Sequence, residues 1–216
     1  MTLKAIDFWF DPISPFAYLA FERLPQLLEG LSVEVTYRPL LFAGLLKHWG
    51  QKGPAEIEPK RAWTFRHVHW LAHRHGIEMQ TPAQHPFNPL ALLRLMLACA
   101  PARGTPNRFV CETVLRHVWR GGLDAADPAR LAALRAALAP VCAPDSDSVK
   151  HALREATQAA LARGVFGVPT IEVDERLFWG VDSLDMLRAH LRGDPWFASG
   201  VWEDAGSARP GVHRPV

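Results

Sequence analysis

The chain has 216 residues, 49% of them hydrophobic and 21% charged, with a net charge of +2. That balance supports a substantial core and excludes a mainly disordered state. Both signs of charge are spread along the chain, which excludes the dense basic patch of a nucleic-acid binder, and no apolar run reaches the ~18 residues of a membrane span. The length fits one domain, or one domain with a large insert. Met1 to Pro12 lacks a basic region followed by a long apolar one, so no signal peptide is expected. The three cysteines, Cys99, Cys111 and Cys142, are an odd number without a C-x-x-C. That argues against a zinc site and a dithiol redox motif. Reduced, mostly buried thiols in a cytoplasmic protein are expected instead.

In chain order, Ala5 to Phe10 is an apolar and aromatic run that reads as a buried strand, stopped by Asp11-Pro12. Ser14-Pro15 then reads as a helix start, with Ser at the N-cap and Pro at the first helical position. The helix runs from Phe16 to Leu28, and Leu31 to Arg38 alternates as a second strand. A parallel crossover of this length is right-handed. From about Leu40 to Ala139 no strand is expected. Helices are predicted over Glu58 to His75, Pro89 to Ala100, Asn107 to Arg120 and Pro128 to Leu138. Thr81 to Pro89 carries three prolines and cannot be a helix interior. A helix over Ser146 to Arg163 follows, then short strands Thr170 to Val173 and Arg176 to Trp179 around an Asp174-Glu175 turn, then a helix over Ser183 to Leu191. The tail from Gly193 to Val216 is read as loosely packed or as meeting a partner subunit.

Four histidines, His67, His69, His73 and His75, fall on one predicted helix. His69 and His73 share a face, but residues two apart point about 200° from each other. All four therefore cannot meet one ion, and no metal site is expected. Trp63, Phe65 and Trp70 on the same helix are read as core packing, with an aromatic substrate pocket as the alternative.

Four segments carry a family resemblance: Asp7 to Ala20 (D-F-W-F-D-P-I-S-P-F-A-Y-L-A), Lys52 to Arg61 (K-G-P-A-E-I-E-P-K-R), His85 to Leu95 (H-P-F-N-P-L-A-L-L-R-L) and Val165 to Leu184 (V-F-G-V-P-T-I-E-V-D-E-R-L-F-W-G-V-D-S-L). Together they resemble the 2-hydroxychromene-2-carboxylate isomerase family, whose relatives are the kappa-class glutathione transferases and the disulfide oxidoreductase DsbA. The likeness spans Ile6 to Leu191. It implies an α/β, thioredoxin-like fold (β-α-β … α-β-β-α) with a large all-helical insertion. The corresponding division is 1–39 and 145–193 for the thioredoxin-like domain, 40–144 for the insertion, and 194–216 for the tail.

The resemblance also implies glutathione as cofactor and a small aromatic substrate. It makes Ser14 the catalytic hydroxyl. A helix N-cap is the plain reading of Ser14, and the two roles are compatible, because a hydroxyl at a helix N-terminus can donate to another molecule's thiolate. An alcohol cannot replace a thiol in redox chemistry. Cofactor contacts are implied for Ser14, Gln51, Lys60, Val168, Pro169, Val181, Asp182 and Ser183. A cis Val168-Pro169 bond would offer the Val168 backbone to glutathione. A loop leading into a strand, a helix cap at Asp182 or Ser183, and a solvated Lys60 are the plain alternatives. Gln51 stands where relatives carry Asn, and Ser183 where kappa-like relatives carry Arg. Phe16, His85, Pro86 and Asn88 are the implied substrate side.

The activity implied is a glutathione-dependent cis–trans isomerisation of a hydroxychromene carboxylate or similar enone acid. A kappa-like transferase and a redox-inactive thioredoxin-fold binding module are the rivals. A homodimer is compatible with the apolar insertion and with Trp196 and Trp202 in the tail.

Overall fold

The computed structural model describes residues 3–101 and 104–207. The end of the tail, over which a loose or subunit-binding segment was expected, and residues 1 and 2 lie outside the described residues.

The elements are β1 (Lys4–Phe10), α1 (Pro15–Leu28), β2 (Val33–Pro39), α2 (Phe42–Trp49), α3 (Glu58–His75), α4 (Leu90–Ala98), α5 (Arg108–Trp119), α6 (Pro128–Leu138), α7 (Asp147–Ala162), β3 (Thr170–Val173), β4 (Arg176–Trp179), α8 (Leu184–Leu191) and α9 (Val201–Gly206). The four strands form one sheet in the order β2-β1-β3-β4. β1 and β2 are parallel, with Phe8 opposite Tyr37. β3 runs antiparallel to β1, and β4 to β3. Asp174 and Glu175 both take positive φ, of 49° and 61°. That is the conformation a two-residue hairpin needs.

Side chains of β1 alternate between the sheet's two faces. Ile6, Phe8 and Phe10 enter one cluster together with Leu24, Leu93, Val114 and Trp119, so the inserted helices share their core with the sheet and α1. Trp9 faces the other way, into a smaller cluster with Leu40, Leu45, Ala160, Val165 and Val168.

Three features depart from the sequence reading. The first is α2, an eight-residue helix where none was expected. Its cap residue, Leu41, has no capping side chain. The Asp11 carboxylate accepts from Phe42 N instead (2.9 Å), and the Thr157 hydroxyl accepts from Leu41 N (3.1 Å). The capping groups thus come from distant parts of the chain. Gly44 lets α2 approach α7: a Cβ there would lie 2.9 Å from Thr157 Cγ2.

The second is α3, which buries only Val68 and Ala72. Trp63 and Trp70 are therefore 65% and 54% exposed, with the His67 ring between them at centroid distances of 6.2 and 6.5 Å. Of the three aromatic residues read as core on this helix, only Phe65 packs inward, against His85. The third is the tail, where Trp196, Phe197 and Trp202 pack on one another and Phe197 and Trp202 on Phe178, through a short 3-10 turn (Pro195–Ala198) and α9. Of the cysteines only Cys111 is buried; Cys99 is half-buried and Cys142 exposed.

Candidate active site

The site is built around the turn from β1 into α1. Ser14 is the α1 N-cap: its Oγ accepts from Ala17 N at 3.2 Å, and Pro15 fills the first helical position. Ser14 is only 7% exposed. Its hydroxyl proton goes to the Val168 carbonyl (3.2 Å), across 154 residues of chain. The Val168-Pro169 bond is cis. Val168 N–H makes no hydrogen bond to another backbone group among the described residues. The Pro169 carbonyl accepts from Gly180 N (2.9 Å), which ties this turn to the segment leading into α8.

The turn itself is held from several sides. Asp11 is fully buried. Its Oδ1 accepts from Ile13 N (3.0 Å) and its Oδ2 from Phe42 N. Burial pushes the Asp11 carboxyl up to about 7, and the two backbone donors pull it only part of the way back. From α5, Trp119 Nε1–H donates to the Pro12 carbonyl (2.9 Å), and from the loop before α4, His85 Nε2–H donates to the Ile13 carbonyl (2.9 Å). Desolvation, joined by nearby Arg61, lowers the His85 pKa. Neutral His85 therefore donates through Nε2, and its unprotonated Nδ1 is buried without a partner. Phe65, Phe87 and Trp119 enclose the ring.

Ser14, Val168 and Pro169 thus come together, and His85 joins them one residue away through Ile13. Phe16 is half-buried with its ring edge-on to His67. The His85-Pro86 bond is also cis, and Pro86 is exposed. Asn88 Oδ1 accepts from Leu90 N (3.1 Å) at the start of α4. The remaining residues are spread wider. The Val181 carbonyl accepts from Arg23 of α1 (3.3 Å), and Asp182 is exposed. Gly180, at φ 89°, makes room for the Asp182 carboxylate, because a Cβ there would meet its Oδ1. Neither Asp182 nor Ser183 caps α8 with its side chain. The buried Ser183 hydroxyl bonds back to the Gly180 carbonyl (2.9 Å), since a 3-10 turn (Val181–Ser183) runs straight into the helix.

Gln51 is exposed, just past the C-terminus of α2, which Trp49 pins to the Val165 carbonyl (3.1 Å). Lys60 is exposed on the first turn of α3, in a shallow groove lined by Pro54, Pro59, Trp63 and Thr64. No hydrogen bond joins Gln51 or Lys60 to Ser14 among the described residues. The histidines of α3 diverge: His67 stacks on tryptophans and His69 bonds Thr81 Oγ1 (2.8 Å). Sequence reasoning missed Asp11 and Trp119 as parts of the site. A carboxylate closing a run as apolar as Phe8-Trp9-Phe10 is a legible signal of a buried acid. The Trp119 bond to Pro12 spans two distant segments and leaves no local trace.

Comparison with known proteins agrees with this architecture. The family model of the DSBA-like thioredoxin domain matches residues 5–192. A 2-hydroxychromene-2-carboxylate isomerase of Sphingobium xenophagum is 31% identical over 204 residues, covering 87% of this chain and 98% of that protein. Glutathione S-transferase kappa 1 of Rattus norvegicus is 25% identical over 210 residues, covering 89% and 92%. A solved 2-hydroxychromene-2-carboxylate isomerase shares the fold with a TM-score of 0.73 at 24% identity, covering 95% of this chain and 100% of that one. The fold is therefore the DsbA-like thioredoxin fold, α/β in class, with many helices around a mixed sheet. The chain belongs to the DsbA-like thioredoxin-domain family and, within it, to the 2-hydroxychromene-2-carboxylate isomerase family of enzymes. Among the described residues no helix is long and apolar enough to cross a membrane.

Proposed function

We propose that the protein is a glutathione-dependent cis–trans isomerase of 2-hydroxychromene-2-carboxylate or a similar aromatic enone acid, working in the cytoplasm. The observation that carries this reading is the Ser14 hydroxyl, held at the N-terminus of α1 and aimed at the Val168 backbone. These groups fit a thiolate. A hydroxyl proton can exchange a carbonyl acceptor for a charged sulfur, and a helix N-terminus favours negative charge beside it. An oxygen at this position also forbids disulfide exchange through the helix N-terminus. The relatives' names, isomerase and glutathione transferase, support the same reading.

Glutathione held by these residues would supply a thiolate nucleophile for reversible addition to the conjugated double bond. The protein's own residues bind and orient. Ser14 holds the sulfur as an anion, and Val168 offers its N–H as a strand-like donor, with Pro169 fixing the turn. Val181, Asp182 and Ser183 line the end that takes the γ-glutamyl group. Lys60, beside the Trp63 ring, and Gln51 would take the glycyl carboxylate. Phe16, His85 and Pro86 are assigned to the substrate side. The Asn88 amide keeps its N–H donors for a carboxylate, because only its oxygen is used by α4.

The test is to mix the protein with reduced glutathione and the cis substrate and follow both isomers and free glutathione. Isomerisation that needs glutathione and leaves its concentration unchanged supports the proposal. Stoichiometric loss of glutathione selects the kappa-like transferase. Glutathione binding without turnover selects the binding module.

A further inference from the structure

The fold brings together two thiols that the chemistry above does not use. Cys99 is the C-cap of α4, and Cys142 lies in the segment between α6 and α7. The carbonyl of Ala98, directly before Cys99, accepts from Val141 N (2.9 Å) and from Cys142 N (3.4 Å). Cys142 Sγ lies 3.8 Å from that same carbonyl, although Ala98 and Cys142 are 44 residues apart. Reciprocally, Cys99 Sγ lies 3.9 Å from the Leu138 carbonyl, at the end of the helix that leads to Cys142. Each sulfur therefore reaches the backbone segment that carries the other. A direct amide–carbonyl contact of this kind sets flanking Cα atoms near the roughly 4.4–6.8 Å that an unstrained disulfide spans. Both are free thiols.

We propose that Cys99 and Cys142 form a reversible dithiol–disulfide pair whose oxidant is a small disulfide such as oxidised glutathione. Cys142 is exposed and is the point of attack. Its thiolate displaces one glutathione thiolate and forms a mixed disulfide. The Cys99 sulfur then attacks the Cys142 sulfur, closes the intramolecular bond and releases the second glutathione. One molecule of oxidised glutathione is reduced to two of reduced glutathione, and the protein loses two thiol hydrogens. Burial, followed by the neighbouring Cys142, pushes the Cys99 thiol up. The exposed Cys142 therefore makes the first attack, and Cys99 gives up its proton to solvent as it closes the bond. The closed bond would staple the C-terminus of α4 to the α6–α7 segment, bracing the helix that follows the His85–Asn88 loop.

The experiment equilibrates the full chain with oxidised glutathione, blocks the remaining thiols, and reads intact mass and cross-linked peptides. The expected product has lost two hydrogens, carries no glutathione, and contains a Cys99–Cys142 cross-linked peptide. Cys142→Ser should stay unmodified at Cys99, and Cys99→Ser should stop with one glutathione on Cys142. Cys111, fully buried, should be blocked only after unfolding. Ser14→Ala should oxidise like the wild type, which separates this proposal from the thiolate site. A wild-type product that stops as the mixed disulfide, cross-links between two chains, or forms no disulfide at all would overturn it.

Discussion

Ser14 Oγ lies 3.2 Å from the carbonyl oxygen of Val168, so the start of α1 and the turn before β3 meet through one hydroxyl proton. That hydroxyl also caps α1 through Ala17 N. Ser14→Ala removes both bonds. Loss of the cap should cost about 1 kcal/mol of folding stability, measurable by urea unfolding. A hydrogen bond to a charged partner contributes about 1.5–3 kcal/mol, so glutathione-dependent kcat/KM should fall roughly 10- to 100-fold. A loss of activity no larger than the stability change explains would contradict the role given to Ser14.

Trp119→Phe keeps an aromatic ring at the buried end of α5 but removes the donor to the Pro12 carbonyl. An unsatisfied buried carbonyl costs about 1–3 kcal/mol. Because the lost bond lies two residues before Ser14, activity should fall in protein that is still fully folded at the assay temperature. Full activity in this variant would show that the turn does not depend on the inserted helices.

Asp11 gives a pH signature. Burial lifts its carboxyl from an ordinary 3.8 to about 7, so between those values the folded chain binds a proton that the unfolded chain does not. Stability from this group is full below about pH 4 and is lost as pH rises through about 7, on the order of 4 kcal/mol in all. His85, His117 and His190, whose pKa values burial lowers, act in the opposite sense as pH falls. The comparison is therefore the difference between wild type and Asp11→Asn. In denaturant titrations from pH 5 to 8, wild type should lose stability relative to the variant, and a constant difference would refute the buried-acid assignment.

Gly44→Ala tests helix packing against helix propensity. In a free helix interior the change gains roughly 0.5–1 kcal/mol. Here the new Cβ would sit 2.9 Å from Thr157 Cγ2, and overpacking typically costs about 1–3 kcal/mol. The variant should be destabilised. A stabilised one would mean that α2 and α7 can separate without loss.

The sequence carried what is local. Short strand-like segments on either side of the Asp174-Glu175 turn locate β3 and β4 to the residue, and Ser14-Pro15 marks the start of α1 because cap and first-turn chemistry are contiguous there. What it did not show is long-range. The caps of α2 arrive from Asp11 and Thr157, and the clamps on the Ser14 turn from His85 and Trp119, so no window of sequence contains both partners. The exposure of Trp63 and Trp70 was misread for the same reason: their spacing is that of a core stripe, but α3 meets the rest of the chain on the face of Val68 and Ala72.

The most direct test of the central claim is a titration of the glutathione thiol, followed by thiolate absorbance, in the presence of wild-type protein and of Ser14→Ala. Donation from Ser14 predicts about a 10- to 100-fold larger thiolate-to-thiol ratio for bound than for free glutathione, reverting toward the free value in the variant. No binding of glutathione, or a gain that is unchanged without the Ser14 hydroxyl, would contradict it.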